Sequence, residues 1–167
     1  ILIVEDELLI AKNTAKKLSK LGYVVPKIIS SGQAAIDYVK SEQPNLILMD
    51  IAIKGAIDGI ETAARIKSIA DIPVIFLTAY ANEQTLERAS ETGCYGYLIK
   101  PFRDKELHAM IKMALCKHQE QSAIRQSLQD TVSEYSSQFD DIYKNSLTNL
   151  PNKLFLRDSF DYLISSL

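Results

Sequence analysis

Only two cysteines, Cys94 and Cys116, occur among the 167 residues. They make neither a metal-ligand spacing nor a disulfide framework, so they read as ordinary thiols of a reducing compartment. No apolar run approaches the ~18 residues needed to cross a bilayer, so no membrane is expected. No basic-then-apolar leader precedes the first apolar run, and the expectation is a cytoplasmic protein. The chain opens at Ile1 without a Met, as a piece cut from a longer protein would. Neither sign of charge dominates: 19 Lys and Arg stand against 21 Asp and Glu, a net charge of −2. Such a balance gives no electrostatic footprint for nucleic acid, and no nucleic-acid partner is expected. Residues 1–118 hold 15 basic and 14 acidic side chains, against 4 and 7 in residues 119–167, so any acidic site in the first part is local.

Helix breakers are also missing from one long stretch. All six Gly lie between positions 22 and 96, four of the five Pro lie at or before 101, and the last is Pro151. From Phe102 to Leu150 there is none. A turn-rich part is therefore followed by an uninterrupted one.

In the turn-rich part, short continuous apolar runs recur at Ile1–Val4, Leu46–Met49, Val74–Leu77 and Tyr97–Ile99. Continuous runs suit strands buried on both faces, as in a parallel sheet. A further run, Tyr23–Ile29, contains Pro26, which removes a ladder donor and predicts a sheet edge. Between the runs lie amphipathic stretches of helical length. Leu8, Ala11, Ala15 and Leu18 predict the buried face of a first helix, and Ala34, Ala35, Tyr38 and Val39 that of a second, entered through Ser30, Ser31 and Gly32. Ile60, Ala63, Ala64 and Ile66 predict a third starting near Asp58, Leu86 and Ala89 a shorter fourth, and Leu107, Met110, Ile111 and Ala114 a fifth. The alternation predicts an α/β fold, a (βα)5 doubly wound parallel sheet with right-handed crossovers and helices on both faces.

After the fifth helix an apolar period continues through positions 107, 111, 114, 118, 121, 125, 128, 132, 135, 139 and 142, a coiled-coil spacing with a polar middle at His118, Gln121 and Arg125. With no Gly or Pro to interrupt it, the spacing predicts a long C-terminal helical extension over 103–144 rather than a disordered linker.

In an open parallel sheet, ligands collect at the carboxyl ends of the strands. Glu5 and Asp6 follow the first strand, Asp50 the third, Thr78 the fourth, and Lys100 with Pro101 the fifth. Three acids at one rim repel unless a cation joins them, and clustered carboxylates suit Mg2+. A lysine opposite and a hydroxyl beside them suit a phosphoryl group. Asp50 is then a candidate nucleophile that would form an aspartyl-phosphate.

These residues resemble the receiver domains of two-component response regulators over roughly residues 1–117. The resemblance rests on Ile3, Val4, Glu5 and Asp6; on Met49 and Asp50; on Asp58 and Gly59; on Leu77, Thr78 and Ala79; and on Tyr97 to Phe102. It implies a flavodoxin-like strand order 2-1-3-4-5 and a phosphoacceptor at Asp50, loaded from the phosphohistidine of a sensor histidine kinase or a phosphotransfer protein. It implies that Asp6, Asp50 and the Ala52 backbone carbonyl hold Mg2+, with Glu5 assisting through water. Lys100, Thr78 and Ala79 would bind the phosphate, and Thr78 and Tyr97 would form the switch. It further implies a cis peptide between Lys100 and Pro101, and Ala52 and Tyr80 as neighbours that tune phosphoryl lifetime. One departure stands out: Ile53, Lys54 and Gly55 take the place of a common proline, and the loop from Asp50 to Asp58 is one residue longer than the commonest form.

Beyond the coiled-coil spacing, Asn145, Leu147, Thr148, Leu150, Pro151, Asn152 and Lys153 resemble the start of a GGDEF (diguanylate cyclase-type) domain, with Asn145 in place of an Asp and Lys153 in place of an Arg. The expected organisation is a receiver at 1–117, a coiled-coil linker at 118–144 and the truncated start of an output domain at 145–167. The chain itself lacks the cyclase signature and is not expected to be an enzyme. The implied function is a phosphorylation switch that changes homodimer contacts through the fourth helix, fifth strand and fifth helix, the coiled coil, or both. Two other readings are a constitutive dimerisation module and a phosphodonor acting through His108 or His118.

Overall fold

Period-two alternation sends neighbouring side chains of a strand to opposite faces; both faces are covered along β1 (Leu2–Val4), β3 (Ile47–Asp50) and β4 (Val74–Thr78), while the fifth strand leaves Tyr97 and Ile99 41% and 51% exposed, against the expectation for its apolar run. The computed structural model describes residues 1–79, 83–144 and 150–165. The chain separates into two compact units, Ile1–Gln119 and Glu120–Leu167.

The first unit alternates β1 (Leu2–Val4), α1 (Leu8–Lys20), β2 (Ile28–Ile29), α2 (Gly32–Ser41), β3 (Ile47–Asp50), α3 (Gly59–Lys67), β4 (Val74–Thr78), α4 (Glu83–Glu91), β5 (Gly96–Ile99) and the start of α5 (Asp104–Tyr143). All strand pairs are parallel and the order is β2-β1-β3-β4-β5. Leu2, Val4, Ile47, Met49, Val74 and Phe76 pack with Ile36 and Val39 of α2 and with Ile60, Ala63 and Ile66 of α3. Ile3, Leu48, Ile75, Leu77 and Leu98 pack with Ala11 and Leu18 of α1 and with Leu107, Ile111 and Ala114 of α5. Each large apolar side chain fully buried in these layers contributes roughly 1.5–3 kcal/mol.

Local chemistry sets the helix starts. Ser31 caps α2 by accepting from the Ala34 N–H at 3.4 Å, and Asp58 caps α3 by accepting from the Glu61 N–H at 2.8 Å.

Two further expectations are corrected. β2 spans Ile28–Ile29 instead of Tyr23–Ile29, although it lies at the edge as Pro26 predicts. Upstream of it the chain still touches β1 and the residue before it at single points: the Ile1 ammonium donates to the Val24 carbonyl at 2.7 Å, and the Ile3 N–H to the Lys27 carbonyl at 3.3 Å. Proline supplies no N–H to continue a ladder there. Leu8, Ala34 and Ala64 do not belong to buried faces: Leu8 is 60% exposed and Ala34 and Ala64 are exposed, while Thr14, Ile36 and Thr62 are buried. The Thr62 hydroxyl finds its acceptor on its own helix, donating to the Asp58 carbonyl at 2.7 Å, which lets a polar side chain enter the core.

In the second unit the apolar positions Leu128, Val132 and Tyr135 of α5 are 62%, 67% and 69% exposed. α6 (Lys153–Ser165) is capped by Asn152, whose Oδ1 accepts from the Leu154 and Phe155 N–H groups at 2.9 and 3.1 Å. Asn145, Leu147 and Thr148, expected in the GGDEF-like start, and Tyr80, expected to tune phosphoryl lifetime, lie outside the described residues.

Candidate functional site

Parallel pairing brings the ends of β1, β3, β4 and β5 to one rim of the sheet. Asp50 is the last residue of β3 and pairs in register with Leu77; Thr78 ends β4 and pairs with Ile99. The Lys100 N–H extends this ladder by donating to the Thr78 carbonyl at 2.7 Å, and the Glu5 N–H donates to the Ile29 carbonyl at 2.8 Å. The backbone thus fixes four functional positions before any side chain is considered.

The side chains then converge. Glu5, Asp6 and Asp50 each offer a carboxylate oxygen, and these oxygens lie within 4.8 Å of one another. Glu5 and Asp50 are buried and Asp6 is partly buried. The Lys100 ammonium bridges the two buried acids, 2.5 Å from Glu5 Oε2 and 2.9 Å from Asp50 Oδ1. Burial pushes the Glu5 carboxyl above its usual range, more than the Lys100 hydrogen bond lowers it, and the Asp50 charge adds to the rise. For Lys100, burial alone would depress the ammonium, but the hydrogen bonds to Glu5 and Asp50 outweigh it and hold the group above its usual value. Lys100 therefore stays a cation throughout the neutral range.

The donor set is all oxygen, on three acids at two strand ends. That chemistry fits a hard divalent ion such as Mg2+ and does not fit a soft metal. The residues present are compatible with such an ion.

The remaining predicted residues belong to β4, β5 and the segments that follow β3, β4 and β5. Thr78 is buried at the rim. Ala79 and Ala52 are exposed, Ala52 two residues after Asp50. Tyr97 is 41% exposed on β5, and the Lys100–Pro101 peptide is cis. His108 and His118, weighed as phosphodonors, sit elsewhere: each ring Nδ1 meets a tyrosine hydroxyl, Tyr23 at 3.2 Å and Tyr95 at 2.9 Å.

Two contacts were not foreseen from the sequence. Lys54 Nζ lies 3.2 Å from Asp6 Oδ2. Arg88 of α4 reaches Asp58, the cap of α3, at 2.7 Å. The only sequence signal for the first was the unusual loop composition around Lys54, and the second carried none.

The chain is similar to known proteins. The family of response regulator receiver domains matches residues 1–112. The chain is similar to the transcriptional regulatory protein PdtaR of Mycobacterium tuberculosis, 34% identical over 124 residues, covering 74% of this chain and 60% of that protein. It is similar to the signal receiver domain of a modulated diguanylate cyclase from Desulfovibrio desulfuricans, with 38% identity and a TM-score of 0.68, covering 72% of this chain and 95% of that one. It is also similar to the receiver domain of the sensor histidine kinase PA1611 from Pseudomonas aeruginosa, which has magnesium coordinated in its active-site cleft; identity is 28%, the TM-score 0.63, and coverage 68% of this chain and 94% of that one. With its parallel sheet, its acidic rim and a lysine opposite, the chain belongs to the response regulator receiver family of two-component systems.

Proposed function

We propose that this chain is a phosphorylation switch in which Asp50 accepts a phosphoryl group from a histidine kinase or a phosphotransfer protein. The observation that carries the reading is the Lys100 ammonium held against Asp50 Oδ1 at 2.9 Å, beside three acids whose oxygens cluster within 4.8 Å. Asp6, Asp50 and the Ala52 carbonyl would hold Mg2+, with Glu5 assisting through water. The bound ion would lower the repulsion between the carboxylate and the incoming phosphoryl oxygens.

An Asp50 carboxylate oxygen attacks phosphorus, the P–N bond to the donor imidazole breaks, and the imidazole leaves with its electron pair. Lys100 neutralises charge on the transferred group, and Thr78 and Ala79 contact its oxygens. Movement of Thr78 toward the phosphoryl group is coupled to an inward turn of Tyr97, which now stands partly exposed on β5.

Downstream, the changed face of α4, β5 and α5 alters contacts with a second copy of the chain. The exposed row Leu128, Val132 and Tyr135 supports a coiled-coil contribution to that homodimer. The similarity to a receiver of a diguanylate cyclase, and the turn and cap at Leu150, Pro151 and Asn152, support a cyclase-type output domain in the full-length protein. No described helix is long and apolar enough to cross a membrane, and a cytoplasmic location fits the chemistry.

Incubation with acetyl phosphate and Mg2+, followed by intact-mass measurement, tests the reading. A gain of one phosphoryl group is expected, prevented by chelation and absent in Asp50→Asn. No gain in the wild-type chain, or a gain retained in Asp50→Asn, would overturn it.

A further inference from the structure

The three rim acids are served by two lysines, and only one of them belongs to the phosphoryl-binding set. Lys100 satisfies Glu5 and Asp50. Asp6 is instead paired with Lys54, whose Nζ lies 3.2 Å from Asp6 Oδ2.

The loop after β3 explains how Lys54 arrives there. Ile51 and Ile53 are both buried, at 9% and 6% exposure, and Ile53 joins the core layer that contains Met49 and Ile60. Anchoring those two side chains leaves Ala52 and Lys54 on the solvent side of the loop. Gly55 follows with φ +144°, a conformation that L side chains rarely adopt, and no atom would meet a Cβ there. Lys54 is thus presented at the rim, its stem in solvent (87% exposed), while its head rests on a carboxylate that is only 11% exposed.

We propose that Lys54 is a built-in competitor for the divalent cation: its ammonium holds Asp6 and must be displaced before Asp6 can coordinate Mg2+. The inference rests on Glu5, Asp6 and Asp50 being the Mg2+ site. Two like charges drawn to one carboxylate repel each other, and the oxygen lone pairs that accept from an ammonium are those that would face the ion. Lys54 is mobile enough to leave, because its stem is solvated and surface ion pairs are weak. The consequence is a lowered Mg2+ affinity, so that this receiver's readiness for phosphoryl transfer follows the free Mg2+ concentration rather than being saturated.

The test is a Mg2+ titration of the 167-residue chain at fixed ionic strength, read by the backbone amide NMR shifts of Glu5 and Asp6, which report occupancy and not activity. Lys54→Gln should bind Mg2+ about three- to tenfold more tightly than the wild-type chain, and Lys54→Arg should stay close to wild type. Lys40→Gln removes one positive charge that is paired with Asp37 on α2, and it should also stay close to wild type. Equal or weaker binding by Lys54→Gln, or tightening by Lys40→Gln as large as that by Lys54→Gln, would overturn the competitor role while leaving the Mg2+ site in place. No Mg2+-dependent shift in the wild-type chain would overturn the site and the competitor together.

Discussion

Gly59 stands directly beneath Asp50: a Cβ built on Gly59 would lie 2.0 Å from the Asp50 main-chain oxygen and 2.9 Å from its carbonyl carbon. The Gly59 N–H donates to the Ile51 carbonyl at 3.0 Å, which ties the start of α3 to the end of β3. The first residue of a helix and the proposed phosphoacceptor therefore share one packing contact.

Gly59→Ala follows from that contact. The added methyl must push the β3 end and the α3 start apart, which should lower stability by about 1–3 kcal/mol. Because the displaced atom belongs to Asp50, labelling by acetyl phosphate should slow as well. Chemical denaturation and the labelling rate check the two effects, and unchanged values for both would contradict the contact.

Asp58 gives a pH-dependent prediction. Burial alone would raise its carboxyl, but the backbone N–H of Glu61 and the Arg88 guanidinium outweigh burial and hold it below the usual aspartate range. A depressed group adds stability that is present above its ordinary value, about 3.9, and is lost as pH falls through the depressed one. Asp58→Ala should therefore cost about 1 kcal/mol at neutral pH, with the difference from wild type shrinking on acidification. Denaturation midpoints measured across that acid range check it.

Lys100 is bound to two buried acids, so its removal exposes their mutual repulsion. In Lys100→Met the Glu5 carboxyl, already raised by burial, should rise further. A group raised above its unfolded value adds stability at low pH that is lost as pH rises through the folded value. The variant should be destabilised by about 2–4 kcal/mol at neutral pH and recover toward wild type as Glu5 protonates. Parallel unfolding curves at mildly acidic and neutral pH check the sign.

Tyr95 and His118 predict a smaller effect. The hydroxyl and Nδ1 lie 2.9 Å apart, and the rings meet edge to face with centroids 5.6 Å apart. Tyr95→Phe keeps the ring contact and loses the hydrogen bond, so it should cost about 0.5–1.5 kcal/mol. His118 should carry no phosphoryl group in that variant or in wild type, which mass analysis under alkaline conditions checks, because phosphohistidine survives base and an acyl phosphate does not.

Much of this arrangement was legible in the residue order, and the reasons are local. Continuous apolar runs mark the strands buried on both faces, β1, β3 and β4, though not β5, where Tyr97 and Ile99 are exposed; a polar residue at the end of the run marks the rim, so Asp50, Thr78 and Lys100 could be placed from spacing. Asp58 and Ser31 were legible because capping is a short-range rule. Leu8 is exposed despite its apolar spacing because periodicity counts apolar residues without specifying which helical turn meets the sheet. Thr62 was invisible for the opposite reason: its hydroxyl is satisfied within its own helix, so a polar letter occupies a core position. The pairs Lys54–Asp6 and Arg88–Asp58 join residues from different loops and helices, and no periodic signal carries such contacts.

The central claim is that Asp50 forms the acyl phosphate. Borohydride reduction of the acetyl-phosphate-treated chain, followed by peptide mass mapping, reads the site because hydride converts an aspartyl-phosphate to homoserine and leaves ordinary aspartate unchanged. Homoserine at position 50, dependent on Mg2+, is the predicted result. Homoserine at another acid such as Asp6 or Asp58, or a phosphoryl group found on His108 or His118, would contradict it.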